Sequence, residues 1–123
     1  MSKKHILIVE DDLDTQKLTG FMLKSVFELS FADSYSEAVD ALKNTEVDLI
    51  LMDLSIRGEK DGLQLTTEIR KKGKYRNIPI IAVTAHALAT DRQNAIQSGC
   101  DDYLAKPFKK MEILEKIRKN LPE

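Results

Sequence analysis

Four groups of polar residues in this 123-residue chain stand directly after apolar runs, and each is of a type that can do chemistry. Glu10, Asp11 and Asp12 follow Ile6 to Val9, Asp53 follows Leu49 to Met52, Thr84 follows Ile80 to Val83, and Lys106 with Pro107 follows Tyr103 to Ala105. Taken singly, each has an ordinary explanation. Acids ahead of a helix cap its amides and suit its dipole, a lone aspartate is a solvated loop acid, a threonine hydroxyl closes a strand, and a lysine is a surface charge. Taken together they form a set of carboxylates, one hydroxyl and one ammonium, which can hold a divalent cation and a phosphoryl group.

The elements that must position them are legible from periodicity. Ile6-Leu7-Ile8-Val9, Leu49-Ile50-Leu51-Met52 and Ile80-Ile81-Ala82-Val83 contain no polar alternation, as expected of strands covered on both faces in a parallel sheet. Leu29 to Ala32 and Tyr103 to Ala105 are weaker, edge-like strands. Between them lie helical spacings: Leu18, Met22 and Val26; Leu63, Thr66 or Thr67 and Ile69; and, at the C-terminus, Leu114, Ile117 and Leu121. Ser34 with Glu37, and Thr90 with Gln93, have capping-box spacing, and Gly99 suits a helix C-terminus. Five strands alternating with five helices predict an α/β sandwich, with right-handed crossovers and a site at the carboxyl ends of the strands.

Composition narrows the classes. A chain of this length buries one core, so residues 1–123 are expected to form a single domain. Nineteen basic against twenty acidic residues leave a formal charge of -1, which gives no general attraction to nucleic acid or to a membrane surface. The basic stretch from Arg70 to Arg76 falls where a helix should end, where cations suit its dipole. No apolar run approaches the ~20 residues of a membrane span, and the N-terminus lacks the apolar stretch of an export signal. Cys100 stands alone, which fits a reducing compartment and a small buried residue; a cytoplasmic location is expected.

Neighbouring strand ends lie about 5 Å apart, so the sheet gathers Glu10, Asp11, Asp12, Asp53, Thr84 and Lys106 into one pocket, where several carboxylates share a small space. Two like charges ~4 Å apart at an effective dielectric near 20 repel by about 4 kcal/mol, which calls for a compensating cation. The donors are hard oxygens with no His or Cys among them, which suits magnesium better than zinc.

From Ile6 to about Leu121 the chain resembles the receiver domain of the response regulators of two-component signalling, as in the single-domain chemotaxis regulators. The segments that carry the resemblance are Ile6-Leu-Ile-Val-Glu-Asp-Asp12, Asp48-Leu-Ile-Leu-Met-Asp53, Ile80-Ile-Ala-Val-Thr-Ala85 and Gly99-Cys-Asp-Asp-Tyr-Leu-Ala-Lys-Pro-Phe108. The resemblance implies a flavodoxin-like three-layer sandwich with a five-stranded parallel sheet in the order 2-1-3-4-5 and five helices. It implies Asp53 as phosphoacceptor, and Glu10, Asp11, Asp53 and the backbone carbonyl of Ser55 as magnesium ligands. Thr84 and Lys106 would contact the phosphoryl group, Thr84 and Tyr103 would be the switch pair, and the Lys106–Pro107 bond would be cis. The implied partners are a histidine kinase or histidine phosphotransfer protein and a downstream target read through helix 4, strand 5 and helix 5, with Leu88, Ala89 and Lys109 as contacts.

Two places depart from the family pattern or border its site. The loop Leu54-Ser-Ile-Arg-Gly-Glu-Lys-Asp-Gly62 lacks the Met-Pro of many relatives and is one residue longer, and His86 lies two residues after Thr84. Other readings of the same residues fit less well. An aspartate-dependent phosphohydrolase needs a second carboxylate two residues after its nucleophile, where this chain has Ser55. A flavin-type cofactor binder needs a phosphate loop after the first strand, where Glu10, Asp11 and Asp12 would repel phosphate. A phosphorylation-independent scaffold would have no use for the intact set of Glu10, Asp11, Asp53, Thr84 and Lys106.

Overall fold

Strands β1 (His5–Val9), β2 (Glu28–Ala32), β3 (Leu49–Asp53), β4 (Ile80–Thr84) and β5 (Asp102–Ala105) pair in parallel in the order β2-β1-β3-β4-β5. The computed structural model describes residues 3–56, 60–85 and 89–121; His86, Leu88 and part of the loop after Asp53 lie outside them. The crossovers are α1 (Leu13–Leu23), α2 (Tyr35–Asn44), α3 (Gly62–Lys71) and α4 (Ala89–Ser98), and α5 (Lys110–Asn120) follows β5. This is the α/β sandwich expected, in the expected strand order.

The strand period of two divides the core into two layers. Ile6, Ile8, Leu49, Leu51, Ile81, Val83 and Leu104 face α1 and α5, where Leu23, Ile113 and Ile117 meet them. Leu7, Val9, Ile50, Met52, Ile80 and Ala82 face α2, α3 and α4, covered by Leu42, Leu65, Ile69 and Ala95 among others. Because β3 and β4 are buried at every residue, they carry no polar alternation, and that is why their sequences are continuous apolar runs.

The Ser34–Glu37 box forms by half: the Glu37 amide donates to the Ser34 hydroxyl at 3.3 Å, but the Glu37 carboxylate accepts from the Asp33 amide, at 2.8 Å, instead of the Ser34 amide. Thr90 does not cap a helix; it lies inside α4, which already includes Ala89. Gly99 ends α4 with φ 114, a left-handed conformation that glycine adopts without strain.

The expected inner face of α1 is corrected. Leu18 is 55% exposed, Val26 lies beyond the helix end at Leu23, and Thr19, Gly20 and Leu23 point inward instead. The reason is close approach: a Cβ on Gly20 would sit 3.0 Å from the Phe31 ring of β2, so small residues stand there while Leu18 turns outward; Met22 and Val26 do pack against the core. In α3 the buried residues are Leu65, Thr66 and Ile69, with Leu63 at the margin, and in α5 Ile113 joins Ile117.

The basic stretch resolves into a brace. Arg70 donates to the carbonyls of Gly99 (2.9 Å), Tyr75 (3.1 Å) and Arg76 (2.9 Å) and pairs with Asp101 at 2.8 Å, tying α3, the 3-10 helix Gly73–Tyr75 and the turn before β5 together. A second buried anchor is Asp102, which accepts from Lys116 at 2.9 Å and Asn120 at 2.8 Å and so holds α5 against β5.

Candidate functional site

The ladder continues one residue past the strands and thereby fixes the backbone of the site. The Glu10 amide donates to the Ala32 carbonyl (2.9 Å), Leu54 to Val83 (3.1 Å) and Lys106 to Thr84 (2.8 Å). Each polar residue at a strand end is therefore set by the same hydrogen bonds that build the sheet. The Lys106–Pro107 bond is cis.

Glu10, Asp11 and Asp53 each present a carboxylate oxygen, and the three oxygens lie within 4.8 Å of one another. Glu10 and Asp53 are buried, 4% and 5% exposed, and Asp11 is half-buried. Lys106 brings the compensating charge, its ammonium 2.5 Å from Glu10 and 3.5 Å from Asp53. Asp53 is further fixed by the Ser55 amide, which donates to its Oδ1 at 3.0 Å. The Lys106 ammonium is thus shared between the two buried carboxylates. Burial, then the hydrogen bond with Asp53, raises the Glu10 carboxyl to about 7 against the opposing pull of Lys106. Burial alone would lower the Lys106 ammonium, but the Glu10 hydrogen bond and the Asp53 charge outweigh it and hold it above its ordinary value.

The three acidic side chains expected to hold magnesium thus come together, and a cluster of hard carboxylate oxygens fits a hard divalent cation. Thr84 is buried at the end of β4, in strand phase with Ile80 and Ala82 on the α4 side of the sheet. Tyr103 pairs in register with Ala82 and packs half-buried against the same layer, so Thr84 and Tyr103 share a face. Asp12 stands apart from the cluster as the cap of α1, its carboxylate accepting from the Thr15 amide at 2.9 Å.

Two supporting residues are not evident from sequence. Gly62 opens α3 where a Cβ would stand 2.3 Å from the Asp53 carbonyl oxygen and 2.7 Å from Leu54 Cα, so only glycine lets the helix pass this close to Asp53. The signal for it is the capping box formed by Asp61 and Gln64, which places Gly62 at the first helical position. Gln16, one turn into α1, donates its amide to the Glu10 carbonyl and steadies the acidic pair. Cys100 is not part of the site; burial pushes its thiol up to about 11, as befits an inert core residue.

Among the described residues no helix is long and apolar enough to cross a membrane. Comparison with known proteins agrees with the geometry. The polar-differentiation response regulator DivK of Brucella ovis is 35% identical over 119 residues, covering 96% of both chains. The phosphate regulon transcriptional regulatory protein PhoB of Escherichia coli is 32% identical over 116 residues, and the chain spans about half (50%) of its length. Among solved structures, the receiver domain of the sensor histidine kinase PA1611 from Pseudomonas aeruginosa, with a magnesium ion in its active-site cleft, superposes with a TM-score of 0.88 at 38% identity, over 97% of this chain and 98% of that one. The chemotaxis protein CheY4 of Vibrio cholerae shares the fold, with a TM-score of 0.91 at 21% identity over 98% of this chain and 100% of its own. Residues 6–118 match the response regulator receiver domain, and the chain belongs to that family of two-component signalling proteins.

Proposed function

We propose that this chain is a phosphorylation-dependent signalling switch acting as one unit in the cytoplasm, with Asp53 as the phosphoacceptor. The observation that carries the proposal is the Asp53 carboxylate, seated beside Glu10 and Asp11 with the Lys106 ammonium 3.5 Å away. The donor is the phosphohistidine of a histidine kinase or histidine phosphotransfer protein. An Asp53 oxygen forms the new bond to phosphorus, the phosphorus–nitrogen bond breaks, and the departing imidazole keeps the electron pair and takes up a proton. Glu10, Asp11, Asp53 and the Ser55 carbonyl would hold magnesium, which when bound neutralises phosphoryl oxygens. Lys106 gives its ammonium to another of those oxygens and Thr84 its hydroxyl. Water later hydrolyses the acyl phosphate. Ser55, standing where an aspartate-dependent phosphohydrolase needs a second carboxylate, supports a switch over a turnover enzyme.

Output is a change in the surface formed by α4, β5 and α5. The Thr84 hydroxyl moves toward the new acceptor on Asp53 and vacates space on the face it shares with Tyr103, whose ring turns inward. Ala89 and Lys109 stand on the surface that a downstream protein would read. The nearly balanced charge and the use of Arg70 as a brace support a protein partner over nucleic acid.

Intact-mass spectrometry after incubation with acetyl phosphate tests the reading. The parent should gain one phosphoryl adduct only when magnesium is present, and Asp53→Asn should gain none. Equal labelling of the Asn variant would overturn the site, and a parent that never labels would leave the scaffold as the better account.

A further inference from the structure

Between α2 and α3, outside the carboxylate cluster, lies a cavity of about 240 Å3. Val39 and Leu42 of α2, Leu65 and Ile69 of α3 and the ring of Tyr75 make its apolar walls. Four of these five are core residues, so the cavity reaches into the core, and the Tyr75 hydroxyl already donates to the Leu42 carbonyl at 3.1 Å. Its mouth is cationic. Lys43, Lys72 and Lys74 border it and are exposed. Among the described residues none of the three pairs with a carboxylate. The acid at the rim, Glu68, pairs with Lys60 and feels the Lys72 charge, and its Oε2 is buried without a hydrogen-bond partner.

We infer that this cavity binds a small organic anion, a single-ring aromatic carboxylate whose ring enters between α2 and α3 while its carboxylate stays among the three lysines. An apolar cavity of about 150 Å3 already admits benzene, so this one has room for a ring and a short chain. Three lysines against the single acid Glu68 leave a surplus of positive charge at the mouth, and that surplus selects the sign of the ligand. The inference does not depend on phosphorylation of Asp53.

The test is a titration of the 15N-labelled chain with 3-phenylpropionate, followed by amide chemical shifts. Saturable shifts at Val39, Leu42, Leu65, Ile69 and Tyr75 are expected at millimolar concentration. The cation of similar shape, 3-phenylpropylammonium, should bind about tenfold more weakly or worse. Combining Lys43→Met, Lys72→Met and Lys74→Met, all at exposed positions, should abolish that preference. Shifts that do not saturate or that lie elsewhere, or equal binding of the two probes by the parent, would overturn the inference.

Discussion

Two clusters in this molecule set lysines against buried carboxylates, with opposite balance. At β5, the single Asp102 carboxylate meets Lys116 at 2.9 Å, Lys119 at 3.8 Å and the Asn120 amide. Burial would raise this acid, but the hydrogen bonds from Asn120 and Lys116 outweigh it and hold the carboxyl below its usual range. At the carboxyl ends of β1 and β3, Glu10 and Asp53 share the Lys106 ammonium beside Asp11, and Glu10 is raised to about 7. A carboxylate surrounded by its donors acts as structure; carboxylates crowded within 4.8 Å of one another are placed to take a ligand.

The largest effect should come from disturbing the seat of the second cluster. Gly62→Ala puts a methyl group against the Asp53 backbone, and should cost about 3 kcal/mol of stability together with most phosphoryl labelling. Denaturant titration and intact mass check both. Magnesium comes next. At a hundred times its Kd it should stabilise the parent by about 2.7 kcal/mol, read as a rise in Tm. Asp11→Asn should raise the metal-free Tm by removing one of the crowded charges and should blunt the response to magnesium. A parent indifferent to millimolar magnesium would count against the cation site.

The two clusters should also titrate in opposite directions. Glu10 holds its proton more tightly folded than unfolded, so without metal its contribution to stability is full below its ordinary value near 4.5 and is lost as pH rises toward about 7. Asp102 behaves inversely, contributing above its ordinary value of 3.8 and losing that contribution as pH falls through its depressed folded value. Stability measured against pH should therefore fall on both sides. Asp102→Asn, at a cost of about 1–3 kcal/mol at neutral pH, should flatten the acid limb only. Magnesium should flatten the limb above pH 4.5.

The smallest effect on stability, and the most specific, belongs to Thr84→Ala. It should still label at Asp53, more slowly, while amide exchange with beryllofluoride bound no longer reports changes at Ala89 and Lys109. In the parent those changes should be present; if they stay at the carboxylate cluster, the Thr84–Tyr103 lever does not operate.

Glu10, Asp53, Thr84 and Lys106 are readable in the sequence because unbroken apolar runs mark buried parallel strands, and the polar residue after such a run must stand at the edge of the sheet. Lys106 as the ion partner of Glu10 is not readable, since a parallel sheet announces proximity between strands without saying which charges touch. The inner face of α1 misleads for a physical reason: Gly20 and Thr19 lie inward at a close helix–sheet approach, where hydrophobicity is a poor guide to burial. Gly62 is hidden similarly, because the absence of a side chain matters only once the Asp53 carbonyl is known to pass beside it.

Arg70 and Gly99 carry a consequence for how such chains diverge. A Cβ at position 99 would lie 2.6 Å from Arg70 Cγ, and the Gly99 carbonyl is one of the acceptors that keep the guanidinium in place. Neither position can drift by itself: a larger residue at 99 evicts the arginine, and a shorter one at 70 leaves the carbonyls of Tyr75 and Arg76 without their donor. Although 29 positions separate them along the chain, in divergent homologues a change at one is expected to accompany a change at the other.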